Sequence, residues 1–291
     1  MLTKALPYSP LHRRWIGKMS TVLAANEDTL RLIKKMGRSD VRLQFDNGVG
    51  TDYLAKGPRR FKPDAGAVRL VWVGRILPRK ALPMALDALA KVRHDWMLTI
   101  VGNGLAETTV RQMIAERGLS ERVHWAGRRL TWEEVRAAYL EHDALLFTSL
   151  RETSGVQLLE AMALGLPVIT LDLHGARDVV PEEAGIKVPV TTPAEVVCGL
   201  AAAIDRFASL SVDKKMRCLV RAGSSPEPTP GPRGRLRLSF CTGSLWGGNV
   251  KAKSGEIDAS ERNNDATIPG SSDGRVLWSL GLLHYLPGGP R

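Results

Sequence analysis

Two acidic residues eight positions apart flank a predicted strand-to-helix turn. Glu152 and Glu160 enclose TSGVQLL, in which Gly155 precedes apolar residues at helical spacing. The unpaired amides at the start of a helix stabilise a phosphate, and glycine lets the ligand approach the backbone closely. A carboxylate one turn further along can accept hydrogen bonds from both hydroxyls of a ribose, as acidic residues do at other nucleotide sites. The alternative is that Glu152 only complements the helix dipole and that Glu160 is a solvated surface carboxylate.

A basic pair follows an earlier apolar run. Arg75 and Lys80 come after residues 68–74, which are typical of a strand buried on both faces, and before a helix predicted to begin near Pro83. Open α/β sheets bind their ligands in loops at the carboxyl ends of the strands. A guanidinium and an ammonium together neutralise a departing diphosphate. Because the chain contains no Asp-x-Asp pair, we predict that no metal is used, and the alternative is a solvated basic loop.

Strand-like and helical segments alternate along the middle of the chain. The strands are predicted at 68–74, 97–101, 123–126, 144–147 and 167–171, and the helices at 83–93, 107–117, 132–142 and from 156 onward. Repeated βα units of this length predict an α/β fold, with a Rossmann-like parallel sheet and helices on both faces. Thr131 and Glu134 predict a capping box at the start of the helix 132–142.

These motifs resemble those of a known family. The segment from about 68 to 207 resembles the carboxyl-terminal domain of the group 1 (family 4) glycosyltransferases, a retaining class with GT-B architecture. The residues that match are VGRILPRK, ETSGVQLLEAMALGLPVIT with its Glu-x7-Glu spacing, and HGARDVVPEEAGIKVPVTTPAEV. The resemblance implies an enzyme that transfers a hexose-like sugar from a nucleotide diphosphate sugar to an acceptor hydroxyl, with retention, and that needs no cofactor. Ala81 departs from the glycine that the family often has after the lysine.

The resemblance also implies roles for individual residues. Arg75 and Lys80 would contact the diphosphate of the donor, Glu160 its ribose and Glu152 the transferred sugar. The predicted catalytic residues are Arg75, Lys80 and Glu152. The predicted donor-binding residues are Gly74, Arg75, Lys80, Gly127, Arg128, Ser154, Gly155, Val156 and Glu160, and no metal ligand is predicted. His174, which follows a strand at the same edge, is either a sugar contact or a hydrogen-bonded loop histidine.

The predicted organisation has one complete domain. Residues 1–60 resemble the end of the first domain of a GT-B enzyme and the interdomain linker, although Gly50 replaces the aspartate that usually ends the Asn-Gly-Val-Asp motif. Residues 61–210 form the predicted nucleotide-sugar-binding domain. Residues 211–291, rich in glycine and proline, are predicted to be a poorly ordered tail. We therefore expect a truncated glycosyltransferase, with a catalytically incompetent nucleotide-sugar-binding fragment or interaction module as the alternative.

Charge and cysteine content limit the partners and the compartment. The net charge of +11 predicts attraction to anions. Many of the basic residues lie between Lys4 and Arg38, and this basic segment fits either peripheral contact with an anionic membrane or a solvated basic face. The predicted partners are the nucleotide-sugar donor and an acceptor that is a saccharide, a lipid-linked molecule or a small molecule. Nucleic acid is not predicted as a partner, because no nucleic-acid-binding module is present in the sequence. Three cysteines without C-x-x-C spacing predict a cytoplasmic protein, with peripheral attachment at the inner membrane face as an extension of that prediction.

Overall fold

The computed structural model describes most of the chain as far as residue 211. The described residues are 9–44, 47–50, 66–127, 131–211 and 215, together with the backbone of 235–236. They belong to one compact unit. Arg128 and nearly all of the predicted tail, 211–291, lie outside the described residues, so the predictions for them stay predictions.

The early segment, residues 9–44, contains a helix, a strand, a second helix and a second strand. Its elements are α1 (Pro10–Lys18), β1 (Val22–Ala24), α2 (Glu27–Lys35) and β2 (Val41–Leu43). β1 and β2 pair in parallel. A small apolar cluster that includes Ile16, Val22 and Ile33 holds these elements together.

The central sheet has six parallel strands. After the short strand β3 (Val49–Gly50), these are β4 (Val68–Val73), β5 (Trp96–Val101), β6 (Val123–Trp125), β7 (Ala144–Phe147), β8 (Val168–Leu171) and β9 (Gly185–Val188). Their order across the sheet is β6-β5-β4-β7-β8-β9. The chain therefore adds strands on one side of β4 and then returns to add the rest on its other side. A last two-residue strand, β10 (Arg235–Leu236), pairs antiparallel with β3.

Helices cover both faces of this sheet. They are α3 (Leu82–Leu89), α4 (Glu107–Glu116), α5 (Trp132–Glu141), α6 (Val156–Ala163), α7 (His174–Val179) and α8 (Pro193–Ala208). Successive side chains of a strand point to opposite faces, so Leu70 and Val71 of β4 enter different cores. The core around Leu70 takes apolar side chains from α3, α4 and α8. The core around Val71 takes them from α5, α6 and α7, which confirms the predicted α/β fold.

A local sequence signal explains where α5 begins, and a distant contact explains the early end of α3. Thr131 and Glu134 form the predicted capping box at the start of α5. The helix predicted over 83–93 ends at Leu89 instead. The backbone amides of Arg93 and His94 donate to the Asp205 carboxylate on α8, at 3.0 and 3.1 Å. This carboxylate holds the chain in a loop where the local sequence alone would allow another helical turn.

Candidate functional site

The loops that carry Lys80 and Glu152 leave the sheet where its strand order reverses. β4 pairs with β7, although 70 residues separate Val73 and Ala144 in the sequence. From β4 the chain continues through α3 on one face, and from β7 it continues through α6 on the other face. In open α/β sheets such a reversal leaves a crevice outside the carboxyl ends of the two strands, and ligands bind there. Gly74 to Lys80 leave β4 at this point, and Thr148 to Gly155 leave β7.

The loop after β4 packs its backbone directly against the loop after β5. The Gly74 amide donates to Val101 O at 2.9 Å, and the Ile76 amide donates to Asn103 O at 2.7 Å. A Cβ atom at Gly102 would overlap the carbonyl oxygen of Gly74, so only glycine fits at this contact. The first part of the site is therefore built on a rigid pair of loops.

Lys80 and Glu152, which belong to different loops, form an ion pair at the crevice. The side chains of Lys80 and Glu152 are 6% and 15% exposed, and the lysine Nζ lies 5.0 Å from the centre of the Phe147 ring. Ser149 Oγ donates to Glu152 Oε2 at 3.2 Å. Burial lowers the pKa of the Lys80 ammonium, and the hydrogen bond to Glu152 opposes part of that effect. The lysine thus holds the Glu152 carboxylate, the group that the resemblance assigns to the transferred sugar.

Arg79, which the sequence analysis did not select, also reaches this pair. Its Nη1 donates to Arg151 O at 3.1 Å and lies 3.5 Å from Glu152 Oε2. The Leu150 amide donates to Arg79 O at 2.8 Å, which joins the two loops through their backbones. Arg75 is exposed, and its side chain has no hydrogen bond or ion pair with the described residues. The adjacency of Arg79 to Lys80 in the basic loop was the only sequence signal for its position.

The turn that follows Glu152 leads into the start of α6. Gly155 has φ +65 and ψ +82, a left-handed conformation that glycine adopts without strain, and helix α6 starts at Val156. Ser154 is fully buried, and its Oγ accepts a hydrogen bond from Asn47 Nδ2 at 2.6 Å. No backbone acceptor in the described part of the chain takes the amide hydrogens of Gly155 and Val156. These two amides and the helix dipole favour an anion over the turn.

Glu160 is half-buried and forms no ion pair with another described residue. The buried Tyr139 of α5 donates its hydroxyl hydrogen to Glu160 Oε2 at 3.0 Å. Burial raises the pKa of the Glu160 carboxyl, and the hydrogen bond from Tyr139 opposes part of that rise. The alternative of a solvated surface carboxylate does not fit this environment. Tyr139 was missed because only the packing of α5 against α6 brings it to Glu160.

Gly127 lies at the same edge of the sheet as Gly74. The registers of β4, β5 and β6 place Gly127 level with Gly102 and Gly74. It follows β6, the edge strand, about 10 Å to the side of β4 by the usual strand spacing. Trp125, two residues earlier, donates from Nε1 to Gly102 O at 3.0 Å, and the Arg111 guanidinium stacks 4.1 Å from its ring.

His174 contacts another side chain of the protein. It has φ +49 and opens α7, and its Nδ1 lies 3.0 Å from Asp28 Oδ2 of α2. Of the two interpretations of this residue, the contact favours the hydrogen-bonded loop histidine. No group of three or more His, Cys, Asp or Glu in the described ranges is placed to hold a metal ion. Nor does any helix in those ranges have the length and apolar character to cross a bilayer.

Comparison with known proteins finds a family match for the part of the chain that carries this site. The family model described as "Glycosyl transferases group 1" matches residues 67–209. This segment belongs to the group 1 glycosyltransferases. The matched residues of this glycosyltransferase segment include every predicted site residue, from Gly74 to Glu160.

The relatives of this glycosyltransferase segment are longer proteins. The chain is 32% identical over 143 residues to lipopolysaccharide 1,6-galactosyltransferase of Salmonella typhimurium, and this match covers 48% of this chain and 38% of that protein. The apo structure of the lipopolysaccharide outer core galactosyltransferase WaaB matches with a TM-score of 0.58 and 25% identity, over 74% of this chain and 61% of that one. Anabaena HepE in complex with UDP-glucose matches with a TM-score of 0.52 and 18% identity, over 75% of this chain and 67% of that one, and shows the fold alone. The chain thus spans about two fifths of the length of the Salmonella relative.

Proposed function

We propose that the crevice between β4 and β7 binds a nucleotide diphosphate sugar and that the protein transfers the sugar to an acceptor hydroxyl. The observation that carries this proposal is the ion pair of Lys80 and Glu152 beside the start of α6, at the point where the strand order of the sheet reverses. Membership of residues 67–209 in the group 1 glycosyltransferases supports the reaction class. HepE, a protein with this fold, holds a donor of this kind.

The diphosphate would lie between the basic loop and the start of α6. Lys80 and Arg75 supply positive charge from one side, and the Gly155 and Val156 amides supply donors from the other. The Lys80 ammonium is desolvated, so it interacts strongly with an incoming phosphate. Stabilisation of the departing diphosphate by such preorganised groups is worth about 3 kcal/mol for each well-placed donor. We infer that this stabilisation drives a retaining transfer that does not depend on a metal.

The ribose would be held by Glu160. Its Oε2 already accepts from Tyr139, which fixes the orientation of the carboxylate in α6. Two ribose hydroxyls can then donate to the remaining lone pairs. Their hydrogen bonds favour the ionised form and would oppose the rise in the Glu160 pKa that burial causes. Donor binding should therefore weaken as the pH falls through the pKa of this carboxyl.

Glu152 is assigned to the transferred sugar and to the orientation of Lys80. Its Oε2 is contacted by Lys80, Ser149 and Arg79, so three groups fix its position. A sugar hydroxyl that donates to Glu152 would not need to displace the lysine, because each carboxylate oxygen has more than one acceptor site.

A ligand panel tests the donor site. UDP-, GDP- and ADP-glucose are added to the wild-type protein and to Arg75→Ala, Glu160→Ala and Lys91→Ala, and the thermal midpoint and the heat of binding are measured. Lys91→Ala removes the same charge as Arg75→Ala from an exposed position near the opposite edge of the sheet. At least one donor should raise the wild-type and Lys91→Ala midpoints and have little effect on the other two variants. Failure of all three donors to bind the wild type would refute the site.

Slow hydrolysis of the bound donor separates the two functions that the sequence analysis kept open. Hydrolysis uses water as acceptor and needs only the donor site and the leaving-group stabilisation. Measurable release of glucose, lost in Lys80→Met, supports the transferase. Tight donor binding without any release supports a nucleotide-sugar-binding module instead.

We also propose that α1 contacts an anionic membrane. Leu11 and Trp15, one turn apart, are 64% and 66% exposed, and Ile16 on the other side of the helix is buried. At 100° per residue, Arg14 and Lys18 fall on the same side as the two exposed apolar residues. An apolar pair flanked by cations is typical of helices that lie at a membrane interface.

Vesicle co-sedimentation tests the membrane contact. The protein should sediment with vesicles that contain phosphatidylglycerol and much less with pure phosphatidylcholine. Leu11→Ser/Trp15→Ser and Arg14→Gln/Lys18→Gln should each reduce the bound fraction. Equal sedimentation of the wild type with both lipids, or no effect of either double variant, would argue for a solvated basic face.

A further inference from the structure

A buried side-chain amide connects the early segment to the turn that carries Glu152. Asn26 is 4% exposed and lies at the start of α2. Its Oδ1 accepts from the Thr29 amide at 2.8 Å, which caps the helix, and its Nδ2 donates to Thr153 O at 3.1 Å. One side chain thus satisfies a helix end and a carbonyl 127 residues further along the chain.

The Thr153 carbonyl has no room to move away from this contact. A Cβ atom at Gly175 would overlap the Thr153 oxygen, so the start of α7 packs tightly against the turn. The Gly175 amide donates to Glu152 O at 3.3 Å. The peptide between Glu152 and Ser154 is therefore held by α7 from one side and by Asn26 from the other.

Further contacts between α2 and α7 keep Asn26 in place. The Glu27 amide donates to Asp178 Oδ2 at 2.8 Å. Asp28 lies 3.0 Å from His174 and 3.5 Å from Arg177. Because these contacts join the start of α2 to α7, the amide of Asn26 is presented to Thr153 by a fixed support.

We propose that Asn26 is a positioning residue for the donor site. Its amide fixes the Thr153 peptide, and this peptide sets both the direction of the Glu152 side chain and the direction of the Gly155 amide. Asn26 itself contacts neither of these groups in the structure and is not assigned a contact with the donor. The inference rests on the proposed donor site, and it makes the early segment part of that site's construction.

Asn26→Ser is the informative substitution. Serine caps helices about as well as asparagine, so the Thr29 amide keeps its acceptor. The serine side chain is too short to donate to Thr153 O and carries no amide. Arg38→Gln is the matched control, because Arg38 holds Ile16 O and Met19 O within the same segment and does not touch the turn. Should Asn26→Ser lower the thermal midpoint much more than the control does, Asn26→Thr takes its place, because threonine fills more of the space, also caps helices and carries no amide.

Amide hydrogen exchange in the ligand-free protein is the first measurement. The amides of Gly175 and Leu158 donate to the turn carbonyls of Glu152 and Gly155 and report on its rigidity. Their exchange should become about fivefold faster in Asn26→Ser, the factor expected for one neutral hydrogen bond, and stay unchanged in Arg38→Gln. No change in Asn26→Ser, or the same increase in both variants, would overturn the inference.

Ligand affinity is the second measurement. UDP-, GDP- and ADP-glucose and the matching nucleosides are titrated into both variants. For a base that the wild type binds, Asn26→Ser should weaken the nucleotide sugar about fivefold and leave the nucleoside unchanged, because a nucleoside carries no phosphate to contact the turn and keeps only the ribose that Glu160 would hold. An equal loss for both ligands would refute a role in positioning. If the wild type binds none of them, the proposed function fails, and the exchange experiment still decides whether Asn26 fixes the turn.

Discussion

Removal of Glu152 should destabilise the protein more than removal of both members of its ion pair. Lys80 and Glu152 are largely buried, with 6% and 15% of their side chains exposed. Loss of one partner of a buried pair leaves an uncompensated charge and costs about 3–5 kcal/mol, whereas replacing both partners by neutral groups is often close to neutral. For Glu152→Gln we expect a loss of about 3 kcal/mol at pH 7, at the low end of this range because the lysine can lose its proton.

The opposite single substitution should cost less. In Lys80→Met the Glu152 carboxylate keeps the hydrogen bond from Ser149 and the nearby Arg79 guanidinium. We expect a loss of about 2 kcal/mol, within the range of about 1.5–3 kcal/mol for a hydrogen bond to a charged group. The double variant Lys80→Met/Glu152→Gln should lie within about 1 kcal/mol of the wild type. The four proteins form a double-mutant cycle that isolates the coupling of the pair.

The loss of stability in Glu152→Gln should depend on pH. Burial already lowers the pKa of Lys80 below that of an unfolded lysine, and Glu152 opposes this effect. Without Glu152 the folded-state pKa falls further, so the unfolded protein binds more protons over the window between that value and the ordinary lysine pKa. Stability then rises with pH across this window. The deficit of Glu152→Gln should shrink between pH 7 and pH 9.5, and the double variant should show no such recovery.

Urea unfolding at the two pH values measures these differences. The midpoint should change while the slope of the free energy against urea stays constant, which would show that the unfolded state is unaffected. A deficit of Glu152→Gln that is the same at pH 7 and pH 9.5 would refute the idea of a desolvated lysine held charged by its partner. A double variant as unstable as Glu152→Gln would refute it as well.

Three more substitutions follow from the same region. Ala81 has φ +47, so Ala81→Gly should be less destabilising in urea unfolding than Ala85→Gly in α3 by about 1–2 kcal/mol, because only the first change relieves left-handed strain. At pH values above the raised pKa of the Glu160 carboxyl, Glu160→Gln should raise the thermal midpoint of the protein without donor, because the native state then carries a desolvated charge that the unfolded state hydrates. The same substitution should weaken donor binding. A lower midpoint would contradict the cost of burying this carboxylate. Gly175→Ala should lose about 2 kcal/mol in urea unfolding and weaken the nucleotide sugar, because a methyl group there overlaps the Thr153 carbonyl; wild-type stability would show that the contact is loose.

The sheet could be predicted because its strands carry local signals. Residues 68–73 form an almost continuous apolar run, and such runs alternate with helical spacing as far as α6. The position of the site followed from the same pattern, because loops after consecutive parallel strands meet at one edge. Lys80 and Glu152 were therefore found from the sequence, 72 residues apart, and the structure brings them into contact.

The remaining contacts depend on packing between distant segments. Tyr139 reaches Glu160 only because α5 and α6 pack on the same face of the sheet, and no residue spacing in the sequence predicts this contact. Arg79, rather than Arg75, points to Glu152 because a short helical turn over Pro78–Lys80 rotates the loop. The contact of Asn26 with Thr153 spans 127 residues. From the sequence, an asparagine before a helix predicts only an N-cap.

Several features around the crevice between β4 and β7 lower stability rather than raise it. Ala81 is held in a left-handed conformation, and Lys80 and Glu160 are ionisable groups whose pKa values are shifted toward the neutral form by burial. Selection for stability alone would replace each of them with glycine, an apolar side chain or an amide. Strain and shifted pKa values cluster where a protein binds or reacts, because a bound ligand offsets their cost. A diphosphate would stabilise the charged form of Lys80, and a ribose would stabilise the ionised form of Glu160. The same ligand thus compensates both costs, which is a physical argument for a nucleotide diphosphate at this edge that does not depend on any relative.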